Sequence, residues 1–292
     1  MRPRVGYLGP EGTFSEEALL SSVAPDSVEP VPQATIYDTV GALRRGEVEW
    51  AIVPIENSLD GSINVTLDLL AGEASDVKIV GEALLLVRHS LIAPADVTLA
   101  EIETVITHPQ VPGQCTRFLR GELPHARVLP ASSTAEAVKE VMASAEPGRA
   151  ALGTKLAAEI YGGTVVREGV QDRDDNETRF VWLAQRNDGV SAAPPLHDAG
   201  TAGGGDWKTS LVFWGAGADS PGWLVRCLNE FARREINLTK IESRPRRERL
   251  GRYMFFVDLE GALQAEQSVS DAVADVRGYC EEVRVLGSYP AA

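Results

Sequence analysis

Cysteine is scarce in this chain: Cys115, Cys227 and Cys280 are the only three in 292 residues, odd in number and far apart. No Cys-x-x-Cys pair occurs, so neither a zinc knuckle nor a disulfide framework is indicated. Reduced, partly buried thiols in a cytoplasmic protein are expected. Positive charge is also in short supply. Against 42 acidic residues stand 28 Lys and Arg, a net charge of −14. A nucleic-acid partner would call for a basic face, and the one dense basic run, Arg244 to Arg252, is interrupted by Glu248. Long apolar runs are missing. None reaches the roughly 18 residues of a membrane span, and Met1-Arg2-Pro3-Arg4 leads into a strand with no signal-peptide core. What remains is ordinary for a soluble globular protein, with 44% hydrophobic and 24% charged residues. The length allows two or three lobes with cores of their own.

The pattern along the first 186 residues is strand, polar turn, helix, repeated. Arg4 to Gly9 reads as a strand, followed by Gly9-Pro10-Glu11-Gly12-Thr13-Phe14-Ser15 and a helix that Ser15 caps. Trp50 to Ile55 reads as a buried strand with the polar loop Glu56-Asn57-Ser58-Leu59-Asp60-Gly61-Ser62 behind it. Val77 to Ala93 is β-like and broken at Arg88-His89-Ser90, as a segment passing from one lobe to another would be. Thr104 to Thr107 runs into His108-Pro109-Gln110, with Gln114 on the following helix, and Ser132-Ser133-Thr134 caps another helix. Such units imply parallel α/β sheets. Ligand-like turns in both halves suggest two lobes closing on a cleft, roughly 1–84 with 165–186, and 85–164.

Residues 187–206, rich in Pro, Gly, Ala and Asp, read as a flexible tether. Beyond it, from 207 to 292, the order is βαββαβ, a ferredoxin-like module that by itself says nothing about ligand.

The chain's centre of interest is Asn176-Glu177-Thr178-Arg179-Phe180, a polar head before a short apolar strand. Open α/β sheets place ligands at such strand mouths. The Thr178 hydroxyl offers a hydrogen bond, and the Arg179 guanidinium a fork for a carboxylate. A plain strand end with a capping Thr and a surface Arg has the same sequence, and Thr116-Arg117-Phe118 repeats the tripeptide. Loop geometry accounts for Glu56, Asn57 and Ser58 as readily as binding does. His108 fits a general base or a hydrogen-bonded turn residue.

Five stretches in order resemble the prephenate dehydratase family with a C-terminal ACT regulatory domain. They are Gly9 to Ser15, Pro54 to Ser58 with Gly61, His108-Pro109-Gln110 with Gln114-Cys115, Asn176-x-Thr178-Arg179-Phe180, and Glu242-Ser243-Arg244-Pro245. The resemblance covers nearly the whole chain and selects the tripeptide at 178–180 over that at 116–118. It implies a catalytic unit over 1–186, two-lobed like a periplasmic binding protein, and an ACT domain over 207–292. The implied reaction converts prephenate to phenylpyruvate with loss of carbon dioxide and water, and needs neither metal nor cofactor. By this resemblance Thr178, Asn57, Gln114 and Thr107 are catalytic, and Arg179, Phe180, Ser58, Gly61 and Thr13 bind substrate. The effector, L-phenylalanine, would meet Pro221, Gly222, Trp223, Leu224, Asn237, Glu242, Ser243, Arg244 and Pro245 between paired ACT domains, implying a homodimer or homotetramer. Trp223 departs from the small residue usual there. An indole at that position would fill the pocket, change which amino acid fits, or point away. Arogenate dehydration, a related decarboxylation that keeps the ring hydroxyl, and ligand binding without catalysis are the rival readings.

Overall fold

The computed structural model describes residues 2–95, 97–144, 146–186, 194–196, 206–215 and 220–292. The first lobe runs β1 (Arg4–Leu8), α1 (Phe14–Ser22), β2 (Glu29–Gln33), α2 (Ile36–Arg44), β3 (Trp50–Asn57), β4 (Gly61–Ser62), α3 (Asn64–Ala71) and β5 (Val77–Leu86). The second runs β6 (Ser90–Ala93), β7 (Thr104–Thr107), α4 (Val111–Gln114), α5 (Thr116–Glu122), β8 (Arg127–Pro130), α6 (Thr134–Ser144), β9 (Arg149–Gly153), α7 (Lys155–Tyr161) and β10 (Thr164–Arg167). The chain then returns to the first lobe as β11 (Glu177–Gln185). The first sheet is ordered β2-β1-β3-β11-β5 and the second β10-β6-β9-β7-β8.

Two crossings therefore join the lobes, near 87–89 and 168–176. The second lies later than expected. β10 pairs antiparallel with β6, so Val165 to Arg167 belong to the second lobe, not the first. The apolar character of that strand was no guide, because either sheet could take it as an edge strand.

The lobes touch where Gly12 meets the N-terminus of α7. A Cβ at Gly12 (φ +83°) would lie 2.8 Å from Ala157 Cα, so only glycine fits this approach. Thr154 Oγ1 donates to Gly12 O at 2.6 Å, and Tyr161 Oη to Glu11 O at 2.9 Å. Thr13, rather than the expected Ser15, caps α1, its hydroxyl accepting from Glu16 N.

The third module comprises β12 (Trp207–Trp214), α8 (Trp223–Ala232), β13 (Leu238–Pro245), β14 (Tyr253–Glu260), α9 (Gln267–Arg277) and β15 (Glu282–Pro290). Its antiparallel sheet is ordered β13-β14-β12-β15, the ferredoxin-like arrangement expected. One face carries α8 and α9 over Leu211, Phe213, Val257 and Leu259. The other packs on the first sheet. Val212, Met254, Phe256, Leu286 and Tyr289 share one core with Val53, Ile79, Val181 and Leu183. Most of the expected tether lies outside the described residues. Leu196, within it, packs on the core beneath α1 and forms a bridge with Val23.

Candidate active site

Between the lobes lies a cleft of about 420 Å³, within the range of small-molecule sites. Thr178, Phe180, Asn57 and Pro54 line one wall, with Thr13, Phe14 and Ser15 at the start of α1. His89, His108, Gln114 and Ser132 to Thr134, at the start of α6, line the other.

The pairing of β3 with β11 explains how Asn57 reaches this wall. Residues along β3 alternate: Trp50 and Ile52 pack beneath α1, whereas Ala51, Val53 and Ile55 pack toward the third module. Continued strictly, that alternation would send Asn57 to the back. Instead the register shifts, with Arg179 opposite Glu56 and Phe180 opposite Pro54, leaving Ile55 as an extra residue. This β-bulge returns Asn57 to the cleft directly opposite Thr178.

Once there, Asn57 is locked. Its Oδ1 accepts from the backbone N–H groups of Leu59 (2.9 Å) and Asp60 (3.0 Å). Its Nδ2 must then face the other way, where it donates to Thr178 Oγ1 (2.9 Å) and Asn176 Oδ1 (2.9 Å). Thr178 therefore has a lone pair engaged and its own proton free to donate. Ser58 holds the same junction together, its hydroxyl accepting from Glu177 N at 3.0 Å.

From the second lobe, Gln114 Nε2 donates to Asp60 Oδ2 (3.2 Å), while Gln114 Oε1 faces His89 Nε2 (3.0 Å) and Asn176 Nδ2 (3.4 Å). A His89–Gln114–Asn176–Asn57–Thr178 chain of amides and hydroxyl thus spans the cleft. His89 is buried, which pushes its pKa below the usual histidine value against the opposing pull of Gln114. Burial thus favours the neutral ring, whose Nε2 is the nitrogen placed to donate to Gln114 Oε1, and the ring meets Phe14 edge-on.

Several expected site residues lie elsewhere. Arg179 does not reach the cleft. Successive residues on a strand face opposite ways, so with Thr178 and Phe180 in the cleft Arg179 points to the back. There Nε meets Glu82 (2.7 Å), Nη1 meets Asp258 (2.5 Å) and Nη2 meets Tyr289 Oη (2.8 Å). Thr107 is fully buried and donates to Leu152 O on the neighbouring strand β9. Gly61 sits exposed in the turn (φ +80°), and Ser58 acts through the backbone just described. The second Thr-Arg-Phe, at 116–118, is helical, its threonine bonded to Pro112 O and its phenylalanine in the core.

His89, Asn176 and Asp60 join this hydrogen-bonded chain without having been among the expected site residues. Asn176 stood in plain sight two positions before Thr178. A lone histidine at a lobe crossing carries no spacing signal at all.

The expected effector residues divide into separate groups within one chain. Ser220, Gly222, Trp223 and Leu224 border a small cavity with Tyr253 and Phe255. Trp223 is buried there, edge-on to Phe213 and tilted against Phe255, its Nε1 donating to Tyr279 O at 2.7 Å. Asn237 bonds Glu260 in a different cavity. Glu242 and Arg244 face the catalytic lobe, against Ser62 and Asp68. Pro245 borders a third cavity, with Tyr37 and Trp214.

The comparisons agree on the family. Residues 5–188 match the prephenate dehydratase family model. A prephenate dehydratase of Amycolatopsis methanolica is 40% identical over 99% of this chain and 89% of its own length. The crystal structure of prephenate dehydratase from Arthrobacter aurescens in complex with L-Phe superposes with a TM-score of 0.84 at 33% identity, covering 98% of this chain and 89% of that one. GqqA, described as a novel type of quorum-quenching acylase, superposes with the same TM-score at 28% identity over 99% of this chain and 98% of its own. By sequence and by fold the chain belongs to the prephenate dehydratase family, and it is a lyase that breaks a carbon–oxygen bond.

Proposed function

We propose that the cleft converts prephenate to phenylpyruvate and that Thr178 supplies the hydrogen bond, or through it the proton, on which the departing ring hydroxyl leaves. The carboxylate on the ring departs as carbon dioxide. Its bonding electrons pass into the ring, the ring carbon–oxygen bond breaks, and the hydroxide takes up a proton to become water. The observation that carries this reading is the locked Asn57 amide, which occupies a Thr178 lone pair and leaves the hydroxyl proton for the substrate. One well-placed donor of this kind is worth about 10²-fold in rate.

Among the described residues no Lys or Arg lines the cleft. Instead the N-terminal ends of α1 and α6 face into it with Thr13, Ser15, Ser133 and Thr134, and helix N-termini favour anions. These ends take the carboxylate-binding role first assigned to Arg179. Acyl transfer at this hydroxyl would need a base to take the Thr178 proton. Among the described residues the hydrogen-bond partner of Thr178 Oγ1 is the Asn57 amide N–H.

On this reading 1–186 is the catalytic unit and 207–292 an ACT module that senses L-phenylalanine. The L-Phe complex of the Arthrobacter relative supports the effector. A symmetric pair of chains would bring the turn at 220–224 of one copy to the β13 strand of another; β13 is a sheet edge with Ile241 half exposed. The free state of Cys115, Cys227 and Cys280 suits a reducing cytoplasm.

The test is to incubate the protein with prephenate and identify the product. Phenylpyruvate, formed more slowly in the presence of L-phenylalanine, is the expected result. A non-aromatic keto acid would assign decarboxylation without dehydration, and turnover of arogenate alone would move the substrate assignment.

A further inference from the structure

We propose that Arg179 is a positioning residue through which the C-terminal module holds Thr178 in its working orientation. The inference rests on the reading of the cleft given above. Thr178 and Asn57 form a directly opposed pair across β11 and β3, and Arg179 and Glu56 are the next pair, facing the opposite side. The two residues of the chemistry are thus each bonded to a residue of the interface with the C-terminal module.

All three nitrogens of the Arg179 guanidinium are engaged, and two of the partners, Asp258 on β14 and Tyr289 on β15, come from that module. The third, Glu82 on β5, is held in turn by Lys208 Nζ of β12 at 2.7 Å. Asp258 is held by Ser210 Oγ at 2.5 Å. Glu56 lies 3.7 Å from Arg179 Nη1 and is paired with Lys240 Nζ of β13 at 2.9 Å. Burial works against the Arg179 charge, but Asp258 and Glu82 outweigh it and keep the guanidinium ionised. A buried ionic network contributes little net stability beside apolar packing, while its directional bonds fix geometry. Here the fixed element is the β11 backbone between Thr178 and Phe180, held directly from β14 and β15 and, through Glu82 and Glu56, from β12 and β13. A shift of β13 or β14 on effector binding would pull on Arg179 and Glu56, the neighbours of Thr178 and Asn57.

Asp258→Asn in the full-length chain tests this, since it keeps the shape and the Ser210 contact but turns an amide toward Arg179. We expect kcat on prephenate to fall about 10-fold or more with KM within about threefold, because the lost interaction belongs to the transition state. In a Thr178→Ala background the same change should have almost no further effect, the non-additivity of residues acting as a unit. L-Phenylalanine should still bind by calorimetry but inhibit less. Asp275→Asn, at a surface pair with Arg233 of the same module, should leave kcat unchanged. Tyr289→Phe removes one Arg179 contact and should lower kcat in the same direction if Asp258→Asn does not fold. Wild-type kcat in a folded Asp258→Asn, or in Tyr289→Phe should the former fail to fold, would overturn the proposal, as would full additivity with Thr178→Ala. Absence of turnover in the wild type would contradict the assignment of the reaction instead.

Discussion

Thr178 accepts a hydrogen bond from an amide that has no freedom to turn, because the Asn57 oxygen is held by two backbone N–H groups. That arrangement gives a sharp test at the residue scale. Asn57→Asp would keep those two N–H bonds but present a second carboxylate oxygen to Thr178, reversing the polarity of the contact and drawing the hydroxyl proton away from the substrate. We expect kcat to fall about 10²-fold in a folded protein, and kinetics near wild type would contradict the role. Thr178 and Asn57 were legible in the sequence because each stands in a motif. Arg179 stands in the same motif as Thr178 and was expected in the cleft, whereas it faces the third module. Its neighbour's place in the cleft already excluded it, since adjacent strand residues face opposite ways. The motif outweighed that geometry. Thr107 misled for a related reason: a hydroxyl at a strand end suits a ligand or a carbonyl equally, and Leu152 O is nearer.

Elements place these residues, and two features decide how. The first is the bulge at Ile55. Deleting Ile55 would remove the extra residue and restore regular pairing, with Asn57 still opposite Thr178 on the cleft face. The expected result is a folded protein that keeps substantial prephenate turnover but melts at a lower temperature for want of the buried Ile55 side chain, checked by circular dichroism beside the activity assay, and activity near background would contradict the view that the bulge serves to set the side of Asn57. No feature of Pro54-Ile55-Glu56-Asn57 announces a bulge, although a proline within a strand hints at one. The second feature is the contact between α1 and α7. Glu17 on α1 meets the N-terminus of α7 with Glu159 and Glu16 nearby, and burial first, then these acids, push its pKa up to about 7 despite the opposing Leu156 N–H. Because the folded value lies above the unfolded one, the folded state holds the proton more tightly. Stability from this group is full below pH ~4.5 and is lost as pH rises through 7. Glu17→Gln should therefore raise the melting temperature at pH 8, by up to about 3 kcal/mol in stability, and give no gain at pH 4. Equal melting temperatures at pH 8 would remove Glu17 from the account. The helix after the Gly9 to Ser15 turn was legible in the sequence, but lobe contacts depend on pairs of residues some 140 positions apart, for which one sequence carries no signal.

For the whole molecule, the C-terminal module is part of the catalytic unit's core, although the composition of 187–206 promised an independent bead on a tether. The β14 strand alternates Met254, Phe256 and Asp258 toward the catalytic sheet with Phe255, Val257 and Leu259 toward its own helices. An apolar run buried on both faces reads the same whether the second face meets a helix or another domain. Gly287 marks a close approach, where a Cβ would stand 2.2 Å from Ile79 O. Gly287→Ala should push the sheets apart and cost about 1–3 kcal/mol, the usual penalty of overpacking, read as a lower melting temperature. An unchanged melt would mean that the two sheets are not pressed together there.

The central claim is that the Thr178 hydroxyl drives departure of the ring hydroxyl from prephenate. Its most direct test is the kcat for phenylpyruvate formation by the wild type, Thr178→Ser and Thr178→Ala side by side. The serine variant keeps the donor and should retain a large share of the rate, while the alanine variant should lose about 10²-fold or more with a similar KM. An alanine variant with a kcat within a few-fold of wild type would contradict the account.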